Sequence, residues 1–100
     1  MTDSPKVNAD FPWDSDATAK FQEMLRRMPV FARPMSERPV ARKAEKLAVA
    51  DGQSAVSVRY LIDAFFEVTP FGFHGPMMTD MEAVGLDYRS FGHPRDYTRG

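Results

Sequence analysis

Two histidines and two pairs of closely spaced carboxylates are the residues in this sequence whose types suit chemistry. His74 and His93 could each move a proton or bind a metal ion, but neither has a second ligand at the spacing of a helix or a hairpin. The 100 residues include no cysteine, which excludes thiolate metal sites, disulfides and cysteine nucleophiles. Packing or surface roles are therefore the better interpretation of both histidines, and no metal site is predicted.

The carboxylate pairs are Asp14 with Asp16 and Asp80 with Glu82. Acid–base catalysis needs carboxylates in a cleft that shifts their pKa values and brings a reacting group within reach. Both pairs instead fall where the pattern predicts a helix to begin, and the helix dipole is sufficient reason for acidic residues there. The glycines of the C-terminal third have neither of the phosphate-loop spacings. We therefore expect no catalytic residue and no cofactor.

Three amphipathic helices are predicted between Trp13 and Pro70. Apolar residues recur there every three or four positions, and each run ends at a proline or a glycine. The helices are expected at Ser15 to Arg27, Glu37 to Ala50 and Val58 to Glu67. Pro39 is expected in the first turn of the second helix, and Ser57 as the cap of the third. The β-branched and aromatic run of the third helix also fits a strand, an alternative that the sequence leaves open.

The predicted fold class is all-α: a small three-helix domain with an extended, aromatic- and Pro/Gly-rich C-terminal tail. A flexible N-terminal arm covers residues 1–12, the three-helix domain residues 13–69 and the tail residues 70–100. The predicted core combines the apolar stripes of the helices with a buried elbow after the first helix. Its members are Phe21, Leu25, Met28, Phe31, Leu47, Leu61, Ile62 and Phe65.

The tail is apolar without a regular period. Only Thr79 to Glu82 fits a capping box, for one short helical turn closed by Gly85. Aromatic residues and methionine are enriched at interface cores, so we expect the tail to be an extended arm that lies on a partner surface or across the chain's own helices. The predicted partner-binding residues are Phe71, Phe73, Met77, Met78, Tyr88, Phe91 and Tyr97. Deletion of the tail is expected to leave the three helices folded.

The net charge of -1 hides a basic stretch. Its predicted basic face consists of Arg26, Arg27, Arg33, Arg38, Arg42 and Lys46. A solvated helix face and a surface for an anionic or protein partner are both compatible with this pattern. An isoelectric point of about 6.1 argues against nucleic acid as a partner. No apolar run is long enough to span a membrane and no signal peptide is recognised, so we expect no membrane insertion and a cytoplasmic location.

An ordered set of landmarks extends from about Trp13 to Phe65. It comprises Trp13, Leu25, Met28-Pro29, Phe31, Arg33, the basic segment 44–48, Gly52, the segment 56–58 and Ala64. In this order the chain resembles the C-terminal helical domain of the light-independent protochlorophyllide reductase B subunit, as a small standalone relative. Pro34 and Met35 depart from that family, which usually has a glycine and a basic residue after its arginine. The resemblance implies docking rather than chemistry, because the iron–sulfur cluster and most of the pigment pocket of the full reductase lie outside this domain.

We therefore expect a non-catalytic interaction module or accessory subunit that docks through its tail on a larger complex, of redox or photosynthetic type. The alternative is a detached domain of a reductase of this kind that contributes to tetrapyrrole binding or reduction. A third, lower-ranked hypothesis is direct binding of a tetrapyrrole or quinone between helix one and the tail. The residues that motivate it are Trp13, Phe21, Met24, Phe71, Phe73 and Met77.

Overall fold

Four α-helices joined by short 3₁₀-helices make up the part of the chain that the computed structural model describes, residues 11–95. The α-helices are α1 (Ser15–Arg26), α2 (Arg33–Ala50), α3 (Val58–Val68) and α4 (His74–Val84), and the 3₁₀-helices are Val30–Ala32, Phe71–Phe73 and Tyr88–Phe91. Within residues 11–95 no strand forms, and an isolated β-bridge joins Trp13 and Val56. The prediction of an all-α fold is confirmed. The strand alternative for the third helix is wrong.

Helix α1 has almost the predicted bounds, and hydrogen bonds to neighbouring segments hold both of its ends. The Asp14 side chain makes no capping bond; its backbone N–H donates instead to the Val56 carbonyl at 2.9 Å. This bond ties the start of α1 to the segment before α3. At the other end the Leu25 carbonyl accepts hydrogen bonds from Arg33 Nε at 2.9 Å and from the Met28 N–H at 3.0 Å, which ties the last turn of α1 to the start of α2.

Helix α2 begins at Arg33, four residues before the predicted start. Pro34 lies in its first turn, where no helical N–H is needed, and Pro39 lies inside the helix instead of at its start. Because Pro39 has no N–H, the carbonyl of Met35 lacks its helical donor. Both residues are exposed, so water can satisfy that carbonyl. The predicted boundary was wrong because either proline satisfies the same first-turn rule.

Helices α2 and α3 form an antiparallel pair. Tyr60, in the first turn of α3, donates its hydroxyl to Asp51 just after α2 at 2.8 Å. Lys43, two turns back along α2, pairs with Glu67 near the end of α3 at 3.3 Å. Residue numbers therefore decrease along α2 in the direction in which they increase along α3. The start of α2 and the end of α3 therefore lie at the same end of the pair.

The prediction of an extended tail is wrong for residues 71–95. Helix α4 and two 3₁₀-helices occupy most of this stretch, and α4 packs on α1, with Arg27 Nε 3.0 Å from the Asp80 carboxylate. The predicted turn at Thr79 is the middle of α4, although Gly85 does end the helix, with φ 83°. Gly75 and Pro76 resemble helix breakers in the sequence, but they lie in the first turn, which tolerates both. Tail and helices thus share one core.

The core contains most of the predicted residues and several from α4. Phe21, Leu25, Leu61, Ile62 and Phe65 are buried, and Met28 and Leu47 pack partly buried against them. The sequence did not predict that Met77, Met78, Met81, Leu86 and Tyr88 would join them. Phe31 is 81% exposed, so the predicted buried elbow is wrong. The buried methionines of α4 join this core instead.

A buried carboxylate joins the N-terminal segment to α2. Glu45 is 6% exposed and accepts a hydrogen bond from Trp13 Nε1 at 2.8 Å. We expect Glu45→Ala to lower the free energy of unfolding by about 1–3 kcal/mol, because the indole N–H loses its partner in a partly buried site. Glu45→Gln, whose amide oxygen can still accept, should lose less. Urea unfolding followed by Trp13 fluorescence measures both, and equal losses would contradict this role of the bond.

Candidate functional site

Two corners of the chain have the same local structure. In each, a proline with nearly the same backbone angles (φ -56°, ψ 146° at Pro29; φ -57°, ψ 144° at Pro70) starts a three-residue 3₁₀-helix that leads directly into an α-helix. The closing bonds also match: Ala32 N–H to Pro29 and Phe73 N–H to Pro70, both at 2.9 Å. The sequence signal, a proline five or six residues before a Pro-Met pair, is visible in hindsight. It was not predicted.

Both corners expose large apolar side chains. The exposed residues are Val30, Phe31 and Met35 at the first corner and Phe71 and Phe73 at the second. One corner precedes α2 and the other follows α3, so both lie at one end of the antiparallel pair. We call these five residues the apolar end. Exposed apolar side chains that concentrate in one region are typical of interaction sites.

The predicted tail residues divide between the core and the surface. Phe71 and Phe73 belong to the apolar end, whereas Met77, Met78 and Tyr88 are buried in the core and cannot meet a partner while the protein is folded. Phe91 is 40% exposed and Tyr97 lies outside the described residues. The apolar end also includes Val30 and Met35, which were not predicted to bind a partner, and Phe31, which was assigned to the core.

The predicted basic face is not a single surface. Arg27 pairs with Asp80, Arg33 donates to the carbonyls of Leu25 and Arg26, and Arg26 is exposed on α1. The other three basic residues form one row along α2: Arg38, Arg42 and Lys46. They lie four residues apart and all are exposed, so they share the side of the helix that faces away from the bundle. We call them the basic row.

The basic row destabilises α2 when this helix is considered by itself. Like charges four residues apart repel each other, and each such pair destabilises a helix by roughly 0.2–0.5 kcal/mol. Glu45, the acidic residue three positions after Arg42, is buried and bonded to Trp13. Among the ion pairs of residues 11–95, none involves Arg38, Arg42 or Lys46. The row is therefore an uncompensated positive surface in the part of the chain described.

The two histidines pack around Phe66. His93 stacks on its ring at 4.1 Å with an interplanar angle of 2°, and His74 meets it edge-on at 5.1 Å. His93 Nε2 lies 2.7 Å from Asp63 Oδ1, and His74 Nε2 lies 2.9 Å from the Thr69 carbonyl. Among the residues described, no group of three or more possible ligands is placed to hold a metal ion. Both imidazoles thus contribute to packing.

The two carboxylate pairs differ in their surroundings. Asp14 and Asp16 are exposed and line an open groove of about 490 Å³ with Arg59 and Tyr60, not the enclosed cleft that catalytic carboxylates need. Asp80 pairs with Arg27, and Glu82 accepts from the Tyr88 hydroxyl and lies near Arg89 and Arg95. The second pair therefore contributes structural contacts within α4 and its neighbours.

The surroundings of Tyr88 and Tyr60 raise the pKa values of their hydroxyl groups. Burial raises the pKa of the Tyr88 hydroxyl, the hydrogen bond to Glu82 raises it further, and the Arg95 guanidinium partly opposes the shift. The pKa of Tyr60 is also raised, first by its hydrogen bond to Asp51 and then by burial. In each case the folded state favours the protonated phenol.

We expect stability to fall at alkaline pH because of these tyrosines. Below about pH 10, the ordinary pKa of tyrosine, both folded and unfolded chains hold the phenolic proton; above it the unfolded chain releases the proton first and unfolding becomes easier. Tyr88→Phe should therefore show a shallower fall of the unfolding free energy with rising pH. Chemical unfolding at pH 8 to 12 measures this slope. An unchanged slope in Tyr88→Phe would contradict the raised pKa.

The residues of the hypothesised tetrapyrrole site are mostly occupied in packing. Trp13 stacks on Phe21 at 5.4 Å, and Phe21, Met24 and Met77 are buried in the core. Phe71 and Phe73 are exposed at the apolar end. Three of the six residues are therefore buried in the core and two are exposed.

None of the helices within residues 11–95 has the length and apolar character required to cross a membrane. Comparisons with models of protein families, with curated proteins and with solved structures gave no match to this chain.

Proposed function

We propose that the chain is a non-catalytic helical interaction module that docks on a larger protein through the apolar end. The observation that carries the proposal is the exposure of the five large apolar side chains there, led by Phe31 at 81%, Met35 at 72% and Val30 at 71%. In a domain of this size such residues would add stability if they were buried. Their exposure at one end favours a role in contact with another molecule.

The backbone conformation of the two corners supports the same proposal. Proline fixes its own φ and restricts the residue before it, so Pro29 and Pro70 hold the corners in one conformation. A rigid presentation lowers the entropy lost on binding. A protein partner with an apolar recess would accept Phe31 and Phe73, because aromatic anchors that fill pockets contribute most to binding at such interfaces.

The class of the partner rests on the resemblance. We suggest a redox complex of the reductase type, because the landmarks from Trp13 to Phe65 resemble a domain of such a complex. The third hypothesis, direct binding of a tetrapyrrole between α1 and the tail, is disfavoured by the burial of Phe21, Met24 and Met77. Titration with haem separates the two: the docking proposal expects no new absorption band and no quenching of Trp13.

Site-specific photocrosslinking in cells of the source organism tests the docking proposal. Phe31 and Phe73 are each replaced by the photoreactive analogue benzoylphenylalanine, and Ser54 is replaced likewise as a control. Ser54 is exposed in the loop that joins α2 to α3, at the opposite end of the pair. We expect the same protein adduct from positions 31 and 73 and none from position 54. No adduct at either corner, or equal labelling at all three positions, would contradict the proposal.

A further inference from the structure

The basic row and its flanks have the geometry of a site for a second helix. Arg38 and Lys46 are about 12 Å apart along the axis at 1.5 Å per residue, with Arg42 midway. Met35 is exposed beyond one end of the row and Val49, 58% exposed, beyond the other. The five residues follow one another at spacings of three, four, four and three, which keeps them on one side of α2. They form a surface about four turns long.

We infer that this surface binds an acidic helical segment of the partner protein, with three carboxylates spaced about one turn apart and an apolar residue at each end. The inference rests on the proposed docking function and specifies the recognition element. Carboxylates four residues apart on a helix are about 6 Å apart along its axis, which matches the spacing of Arg38, Arg42 and Lys46. Met35 continues the surface into the apolar end, so one partner can contact both.

Charge complementarity is the reason for an acidic occupant. Two cations of the described region pair with a carboxylate of a neighbouring element, Arg27 with Asp80 and Lys43 with Glu67. Lys20 and Arg33 instead donate to main-chain carbonyls. No carboxylate of residues 11–95 forms an ion pair with the row. A helix laid along α2 would provide those carboxylates and end the repulsion between neighbouring cations.

A protein helix fits better than a membrane or a nucleic acid. A helix that lies in a membrane interface presents its apolar face to the lipid, but the apolar face of α2, with Val40 and Ala44, is buried in the bundle. Nucleic-acid sites need a wider basic surface and a basic chain, and this chain has a net charge of -1. The basic row, with Met35 on one side and Val49 on the other, matches a short amphipathic helix that carries three carboxylates between two apolar residues.

Binding of a designed probe tests the inference. The probe is a side-chain-crosslinked helical peptide with three glutamates at four-residue spacing and a leucine beyond each end; its partner probe has glutamines instead. Fluorescence anisotropy with the full chain should detect the glutamate peptide and not the glutamine peptide. Affinity should fall on raising the salt from 0.05 M to 0.5 M, because exposed charges are screened. Arg42→Glu should weaken binding about tenfold or more.

The controls separate this inference from the others. Arg59→Glu changes the net charge equally at an exposed residue of α3 and should leave the affinity within about twofold of the unaltered chain. Equal losses in both variants, or binding of phosphatidylserine vesicles or duplex DNA in preference to the glutamate peptide, would overturn the inference. The photocrosslinking experiment tests the docking function separately. An adduct at position 31 that still forms in Arg42→Glu would contradict the acidic-helix inference and leave the docking function supported.

Discussion

We expect that a chain that ends at Thr69 does not fold. The deletion removes α4 and the 3₁₀-helix after it, and with them the buried side chains of Met77, Met78, Met81, Leu86 and Tyr88. Truncation of one buried methionine or leucine to alanine costs about 2–5 kcal/mol, and the whole stability of a small domain is about 5–15 kcal/mol. The loss of all five exceeds what the three remaining helices can supply. This reverses the expectation from the sequence alone.

Circular dichroism and thermal unfolding measure the effect. The matched control ends at Arg95 and keeps every buried residue of the described chain. We expect cooperative unfolding in the control and no cooperative transition in the chain that ends at Thr69. If the shorter chain unfolded cooperatively with a helical spectrum, α4 would not be part of the core.

Phe21→Ala should be the most damaging single substitution among those considered. Phe21 is fully buried, stacks on Trp13 at 5.4 Å and meets Phe65 edge-on at 5.9 Å. The substitution leaves a cavity at the junction of α1, α3 and the N-terminal segment. We expect a loss of about 3–5 kcal/mol, which lowers the melting temperature by roughly 12–40 °C in a domain of this size.

The comparison variant is Phe31→Ala, which removes the same group from an exposed position. Its unfolding free energy should lie within about 0.5 kcal/mol of the unaltered chain. Urea unfolding followed by Trp13 fluorescence gives both values. Similar losses in the two variants would mean that Phe31 is buried in solution and that the apolar end is not exposed.

The sequence predicted α1 and α3 closely because their local signals agree. Each has a regular apolar stripe, and a proline follows within a few residues of the end: Pro29 after α1 and Pro70 after α3. The start of α2 was less well defined, because Pro34 and Pro39 both fit a first turn. In the folded chain α2 begins at Arg33, so the first turn contains Pro34, and the packing that decides this is not visible in the sequence.

The fourth helix was missed because its first turn looks irregular. Gly75 and Pro76 suggested a loop, yet His74, Met77, Met78 and Met81 follow the helical period and all are buried. That spacing is present in the sequence. The two helix breakers in the first turn hide this period from a reading of the sequence alone.

The spacing of the basic residues in the sequence shows which of them share one side of a helix, but not which of them form ion pairs in the folded chain. Arg38, Arg42 and Lys46 lie four apart, so the row was available from the sequence once α2 was assigned. Arg27 could not be distinguished from them, because its partner Asp80 lies 53 positions away on a helix that was not predicted. Long-range pairs of this kind depend on the fold.

The affinity of the photocrosslinked partner for the unaltered chain and for Phe31→Ser combined with Phe73→Ser tests the central claim most directly. Both residues are exposed, so the double variant should keep its melting temperature, which differential scanning fluorimetry verifies. Interface anchors contribute about 2 kcal/mol or more each, so isothermal titration calorimetry should show binding weakened by about a hundredfold or more. An unchanged affinity in the folded double variant would show that the apolar end is not the docking surface.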